Sequence, residues 1–371
     1  MSNGLETTRS CQEWIRDLAA RSQLIAGLEL EASLDPTALL TRDALSLASC
    51  PAHCRLIVRA IERLLSAPGP ASLEYSREVL RRLIQHDTYG AFAELAGYEW
   101  LGRCGVEFEP QVQLAPSDVL GVAGSMLDGK IRGGPYFDIK GFGFSGRLAR
   151  RLQEKLQANF PNEQVLVSGS WDIALAAFEE LIRSTSRIAG ELRTERYIKH
   201  GRLEIRLQKR QPITVSSRVA DPYRLARENA RFAFADAQQF TRNESFVSLY
   251  VIHPWFNAAT IGNDFGGMDA TLTRSLARRT FMQFSNDPTP LADICDRVAA
   301  SATMGDASRL LSAIFFVNVW PTDADTRVTQ EFPSWLYLNP RATHPVTRNA
   351  VWLLGPEAQG VRFDAFADDD Y

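Results

Sequence analysis

Ser125-Met126-Leu127-Asp128-Gly129-Lys130-Ile131, then Arg132-Gly133-Gly134, then Pro135-Tyr136-Phe137-Asp138-Ile139-Lys140, is the stretch on which the reading of the chain turns. Two short apolar runs flank a glycine-rich break, the pattern of a β-hairpin. Both runs carry charges in their interior, and a charge in a core strand is costly unless it is paired or holds a metal. Residues two apart on a strand share a face, so Asp138 and Lys140 project together while Phe137 and Ile139 turn the other way, into a core. The register decides whether Asp128 joins them. A three-residue loop at Arg132-Gly133-Gly134, with one glycine left-handed, sets Asp128 opposite Asp138; a two-residue loop sets it opposite Ile139, on the wrong face.

Two carboxylates and a lysine on one face suit phosphodiester hydrolysis. Mg²⁺ (or Mn²⁺) takes oxygen ligands and keeps several waters. It lowers the pKa of a bound water and stabilises charge on the phosphorus oxygens. A neighbouring ammonium orients the water and supports the developing negative charge. Asp128 and Asp138 are the expected metal ligands, the Ile139 carbonyl a further one, and Lys140 the assisting cation. The plainer alternative is an edge-strand ion pair between Asp138 and Lys140 facing solvent, worth roughly 0–1 kcal/mol.

Outward from the hairpin, residues 8–104 read as helical: Trp14, Leu18, Ile25 and Leu28 recur near helical spacing, as do Ile57, Ile61 and Leu64. Pro68-Gly69-Pro70 breaks the pattern, and the expected division is a helical N-terminal region, 1–70, and an α/β body, 71–371. Further helices are expected over Leu73–His86 and over Thr88–Arg103, the latter stopped by Gly105. Strands are expected over Val106–Leu114, Val119–Ile131, Pro135–Phe142 and Gln164–Ser168. Beyond these, Gly146–Phe160, 173–192, Pro222–Phe240 and Thr271–Phe284 read as helices. Leu203–Leu207 with Ile213–Ser216 reads as a hairpin; Phe246–Ile252, Ala313–Trp320 and Val351–Leu354 read as strands, and the acidic tail Asp364–Tyr371 as frayed.

With one acid on a first strand and Asp138-Ile139-Lys140 on the next, the chain resembles the PD-(D/E)xK nuclease superfamily. The resemblance covers residues 88–170 and the strand leading to Ile252-His253-Pro254-Trp255. It implies a restriction-endonuclease-like fold, a mixed sheet flanked by helices, and a Mg²⁺-dependent nuclease acting on DNA, with a role in restriction or phage defence. Leu127 stands where the family's proline precedes the first acid, and Ser117-Asp118 is a rival for the first position. The family also carries a glutamate on the preceding helix. Glu94 fits, beside Ala91, Gly97, Tyr98 and Leu101; Glu99 is the alternative, with Arg103 one turn away as a partner.

Other motifs compete. Gly141-Phe142-Gly143-Phe144-Ser145-Gly146 matches the dinucleotide fingerprint, but Asp138 and Lys140 interrupt what should be a continuously apolar strand, and no acid closes a second strand at the expected distance. The nuclease reading uses the same glycines as a bend before a helix N-terminus that can hold a phosphate. Cys50-Pro51-Ala52-His53-Cys54 lacks the second ligand pair of a zinc site. None of His53, His86, His200, His253 and His344 sits in a nucleophile-elbow context, and Trp255, Trp320 and Trp335 read as core.

Composition bounds the partners. Apolar residues make up 45% and charged residues 23%, with formal net charge −3, so a nucleic-acid surface has to be a local basic patch. Arg147, Arg150 and Arg151 on one expected helix, Arg274, Arg278 and Arg279 on another, and the stretch from Arg193 to Arg210 are candidates for phosphate contacts, and equally for solvated faces. No run of about 18 apolar residues is present, the first residues do not read as a signal peptide, and the five cysteines are scattered, so the expected compartment is the cytoplasm. The competing function is a non-catalytic nucleic-acid-binding or assembly subunit. A homodimer or a targeting partner subunit stays open.

Overall fold

The computed structural model describes residues 9–67, 71–85, 87–142, 152–153, 155–169, 180–200, 203–209, 223, 226–227, 229–252, 268–319, 334–354 and 361–364. The described strands are Phe108–Leu114 (β1), Ser125–Ile131 (β2), Tyr136–Gly141 (β3), Glu163–Gly169 (β4), Tyr197–His200 (β5), Leu203–Lys209 (β6), Phe246–Ile252 (β7), Ala313–Asn318 (β8), Ser334–Leu338 (β9) and Val361–Asp364 (β10). The described α-helices are Cys11–Ala19 (α1), Gln23–Ala26 (α2), Arg42–Ala48 (α3), Pro51–Ser66 (α4), Ala71–Gln85 (α5), Thr88–Arg103 (α6), Thr185–Glu195 (α7), Met268–Arg278 (α8), Met304–Leu310 (α9) and Arg348–Leu354 (α10).

The chain is α/β and divides into two compact units, one comprising Met1–Gly141, Ala233–His253 and Thr280–Tyr371, the other Phe142–Phe232 and Pro254–Arg279. The expected boundary at 70/71 is therefore not where the chain divides. The N-terminal helices belong to the first unit because α4 lays its apolar face on α6, and Arg63 of α4 bonds Glu99 of α6 at 2.8 Å.

In the first unit a mixed sheet of seven described strands runs in the order β1-β2-β3-β7-β8-β9-β10. β1, β2 and β3 pair antiparallel, β3, β7 and β8 parallel, β8 and β9 antiparallel, and β9 and β10 parallel. All seven residues of β7 are buried, as befits a central strand covered on both faces. Helix α6 is apolar nearly all round and, apart from half-buried Glu94, buried from Ala91 to Leu101, so it forms the core of the unit and not a solvated face. Asp87 caps its start by accepting from the Gly90 N–H at 3.0 Å. Gly97 lets this helix settle on β3: a Cβ there would lie 2.8 Å from the Ile139 side chain. Trp100 meets Phe315 of β8 edge-on, with ring centroids 5.0 Å apart.

The second unit holds a separate antiparallel sheet in the order β4-β6-β5. Its core joins Val165, Leu203, Ile205 and Leu207 to Leu156, Phe160, Ile188 and Leu192. The strand expected at Gln164–Ser168 thus belongs here, not beside the hairpin. Leu203–Lys209 forms its hairpin with Tyr197–His200, because Leu203, Ile205 and Leu207 alternate inward while Tyr197 and Lys199 stay exposed; residues 213–216 lie outside the described residues.

Three further expectations change. Val351–Leu354 is the end of α10, whose start is capped by Thr347 Oγ1 accepting from the Ala350 N–H; a short apolar run fits helix and strand equally. Residues 119–124 form turns and isolated bridges, so β2 begins only at Ser125. The helix expected over Pro222–Phe240 is, where described, largely a 3₁₀ segment, Phe232–Gln239, kinked at Asp236 (φ −106, ψ 16). Among the described residues no helix is long and apolar enough to cross a membrane.

Candidate functional site

The β2–β3 register settles the position of Asp128. Gly129 stands opposite Phe137 and Lys130 opposite Tyr136, so the next pair along is Asp128 and Asp138. The loop has three residues, closed by Ile131 N–H to Pro135 O at 3.0 Å, with Gly133 left-handed at φ 72. Past Gly129 the ladder opens. Asp128 itself fills the gap, its Oδ2 accepting the Ile139 N–H at 2.6 Å. On the other side of β2, Gln111 of β1 adopts φ 55 and drops out of the β1–β2 pairing, whose register is the same on either side of it. Its Nε2 lies 3.4 Å from Asp128 Oδ1 and 3.3 Å from the Tyr98 hydroxyl. That hydroxyl donates to the Asp128 main-chain carbonyl at 2.6 Å.

Asp138 is held on three sides. Its Oδ2 lies 2.6 Å from Lys140 Nζ, its Oδ1 accepts from Gln239 Nε2 at 2.8 Å, and its carboxyl is within hydrogen-bonding reach of that of Asp128. Phe137 and Ile139, on the opposite face, are buried against α6. Both aspartates are buried, while the Lys140 side chain is half-buried, keeping 30% of its exposure. Asp128 and Asp138 lie mid-strand on β2 and β3, and Lys140 lies toward the carboxyl end of β3, beside parallel β7.

Electrostatics bind the three groups together. Burial pushes the Asp128 carboxyl well above the usual carboxylate range, and the neighbouring Asp138 and Glu94 charges push the same way. Burial also raises Asp138, with Lys140 pulling it back. For Lys140, burial disfavours the ammonium, but Asp138, Asp236 and Asp128 together outweigh it and hold the group charged. A buried pair of acids served by one cation is under-neutralised, which is the condition a divalent cation relieves.

The donor set suits a hard cation. It offers two carboxylates and the Ile139 carbonyl, which points to the same side of its strand as the N–H that meets Asp128. Among the described residues no three His, Cys, Asp or Glu side chains gather into a cluster that could hold an ion. Mg²⁺ needs none, since it takes one or two carboxylates and completes its shell with waters and substrate phosphates.

The other expected residues fall in different places. Glu94 accepts from the Tyr75 hydroxyl at 2.5 Å and from Arg82 Nη1 and Nη2 at 2.9 and 2.7 Å, so its carboxylate is already matched by a guanidinium. Glu99 pairs with Arg63 and Arg59 of α4, at 2.8 and 3.4 Å, in place of the expected Arg103. Asp118 is bonded to Ser117 and Asn243 in the loop ahead of β2, with neither Asp138 nor Lys140 among its bonded partners. Arg278, expected on a phosphate-contacting surface, is buried, and Arg274 is half-buried. Arg147 and Arg150 lie outside the described residues, as do Gly143 to Gly146 of the glycine run, His253, Trp255 and Trp320. Trp335 is buried in β9.

Two participants had not been singled out in the sequence: Gln239, bonded to Asp138, and Asp236, whose charge acts on Asp138 and Lys140. The available signal was a polar Gln238-Gln239 pair between Phe234, Ala237 and Phe240, all three buried. Two surface hollows, of about 400 and 370 Å³, lie elsewhere, around Arg63 and Arg132 and around Arg242 and Arg309. No protein-family model, curated protein or solved structure matches the chain.

Proposed function

We propose that the first unit has a restriction-endonuclease-like fold and is a metal-dependent nuclease that hydrolyses phosphodiester bonds, with DNA as the substrate. The observation that carries this reading is the meeting of Asp128, Asp138 and Lys140 on the adjacent strands β2 and β3, with Lys140 Nζ 2.6 Å from Asp138. Asp128, Asp138 and the Ile139 carbonyl would hold Mg²⁺ or Mn²⁺. When bound, the ion supplies Lewis-acid stabilisation of the phosphate oxygens and a more acidic water. Lys140 does the rest of the electrostatic work. It stays charged, is only half-buried, and can orient the attacking water and support the charge that builds on phosphorus. The Ile139 N–H fixes the Asp128 carboxylate, so little reorganisation is needed on the protein side. Glu94, matched by Arg82 and Tyr75, acts as a structural acid behind the site.

Cleavage of plasmid, duplex and RNA oligonucleotides with Mg²⁺ or Mn²⁺ tests this. Asp138→Ala and Lys140→Ala are each expected to lose about 10²-fold or more in rate. Undiminished cleavage by both variants removes the site assignment, and binding of DNA by the wild type with no cleavage assigns a non-catalytic nucleic-acid-binding subunit instead.

A further inference from the structure

We propose that Gln239 is a further oxygen donor of the Asp128–Asp138 site, its side-chain amide oxygen a ligand to the divalent cation; this rests on the metal-dependent reading above. Asp138 is ion-paired with Lys140, so its carboxylate only accepts hydrogen bonds. The Gln239 atom 2.8 Å from Asp138 Oδ1 is therefore the amide nitrogen, which settles the orientation of the amide and turns Oε1 away from that bond. Oε1 is buried and, among the described residues, has no hydrogen-bond partner, and Gln239 as a whole is 9% exposed. A buried acceptor left unpaired is unfavourable and calls for a partner. Nitrogen and oxygen share one carbon, so Oε1 lies within about 5 Å of the Asp138 carboxylate, and the terminal torsion that carries it is soft.

The neighbouring residues divide the labour. Gln238 points elsewhere, its Oε1 accepting from the Cys295 thiol at 2.9 Å. The kink at Asp236 interrupts the 3₁₀ segment just ahead of Gln239. Neutral amide oxygens are ordinary ligands of hard cations, and a neutral donor adds a ligand without adding to the repulsion between the two aspartates.

The test is calorimetric titration of the full chain with Mn²⁺, with melting in EDTA as the check that each variant is folded. Gln239→Leu is expected to weaken Mn²⁺ binding about tenfold or more. Gln239→Glu keeps an oxygen donor and gives up the NH₂, and is expected to bind Mn²⁺ within about threefold of wild type or more tightly. Should the leucine variant not fold, Gln239→Met, similar in length, takes its place. Equal weakening in the leucine and glutamate variants overturns the ligand role, since the amide N–H would then be what matters. A leucine variant that binds like wild type, while Asp138→Asn does not bind, also overturns it and leaves the metal site standing. A wild type that takes up no Mn²⁺ brings down the metal reading itself, and the ligand role with it.

Discussion

Replacing Asp128 by asparagine should make the protein more stable and less capable. Asparagine keeps an oxygen for the Ile139 N–H, which Asp128 Oδ2 now accepts at 2.6 Å, and offers an NH₂ to Asp138 in place of a second carboxylate. The sign follows from linkage. The folded Asp128 carboxyl is raised from its ordinary 3.8 by burial and by Asp138. Its contribution to stability is therefore full below about pH 4 and is lost as the pH climbs toward the raised folded value, by up to about 1.4 kcal/mol per pH unit. Asparagine does not titrate, so the variant's advantage grows with pH. With about 2–4 °C per kcal/mol for a domain of this size, Asp128→Asn should melt at least about 3 °C above wild type at about pH 8 in EDTA. The gap should close toward about pH 4. Mn²⁺ at about a hundred times its Kd would add about 2.7 kcal/mol to wild type alone and reverse the order. Scanning calorimetry across this pH range, with and without Mn²⁺, reads all three effects. A variant that melts below wild type at the alkaline end, or a gap indifferent to pH, would refute the picture of two buried acids sharing one cation.

Gly97→Ala should destabilise by about 1–3 kcal/mol through overpacking against Ile139, and should slow cleavage because Ile139 lies between Asp138 and Lys140; a urea melt and a cleavage assay check both. Glu94→Gln should leave Mn²⁺ affinity within about threefold of wild type while costing about 1–2 kcal/mol of stability, since Arg82 and Tyr75 are bonded partners of Glu94; a tenfold loss of affinity would instead make Glu94 a participant in the metal site. Arg63→Ala should cost about 1–3 kcal/mol by leaving buried Glu99 with the more distant Arg59, discounted because Arg63 is itself partly exposed; urea unfolding measures it.

The hairpin was legible because apolar runs flank a glycine-rich break that can supply the left-handed residue found at Gly133 (φ 72); which of two loop lengths it uses, and so whether Asp128 faces Asp138 or Ile139, was not fixed by the local pattern and is settled by the register. β7 was legible because Phe246-Val247 and Leu249-Tyr250-Val251-Ile252, six apolar residues broken only by Ser248, leave little else. The failures have physical reasons. Tyr197–His200 lies on the edge of its sheet with two residues facing solvent, so no alternation marks it among its basic neighbours. Arg278 sits in a run of arginines that looks solvated, yet tertiary packing buries it. Glu99 found its cations 36 and 40 residues upstream, a distance no helical spacing rule can see. Gln239 is 101 residues from Asp138, and the segment that carries it is an irregular 3₁₀ turn, so neither period nor motif announces it.

The chain's order of travel has a consequence for its birth. β3 obtains its parallel neighbour β7 only from residues about 110 positions further on, because residues 142–232 of the second unit intervene. At ordinary translation speeds of about 5–20 residues per second, roughly 5–20 s pass with that strand's edge bare on the ribosome. Over that interval Lys140 places a charge on a bare strand, a feature that disfavours addition of a neighbouring nascent chain's strand.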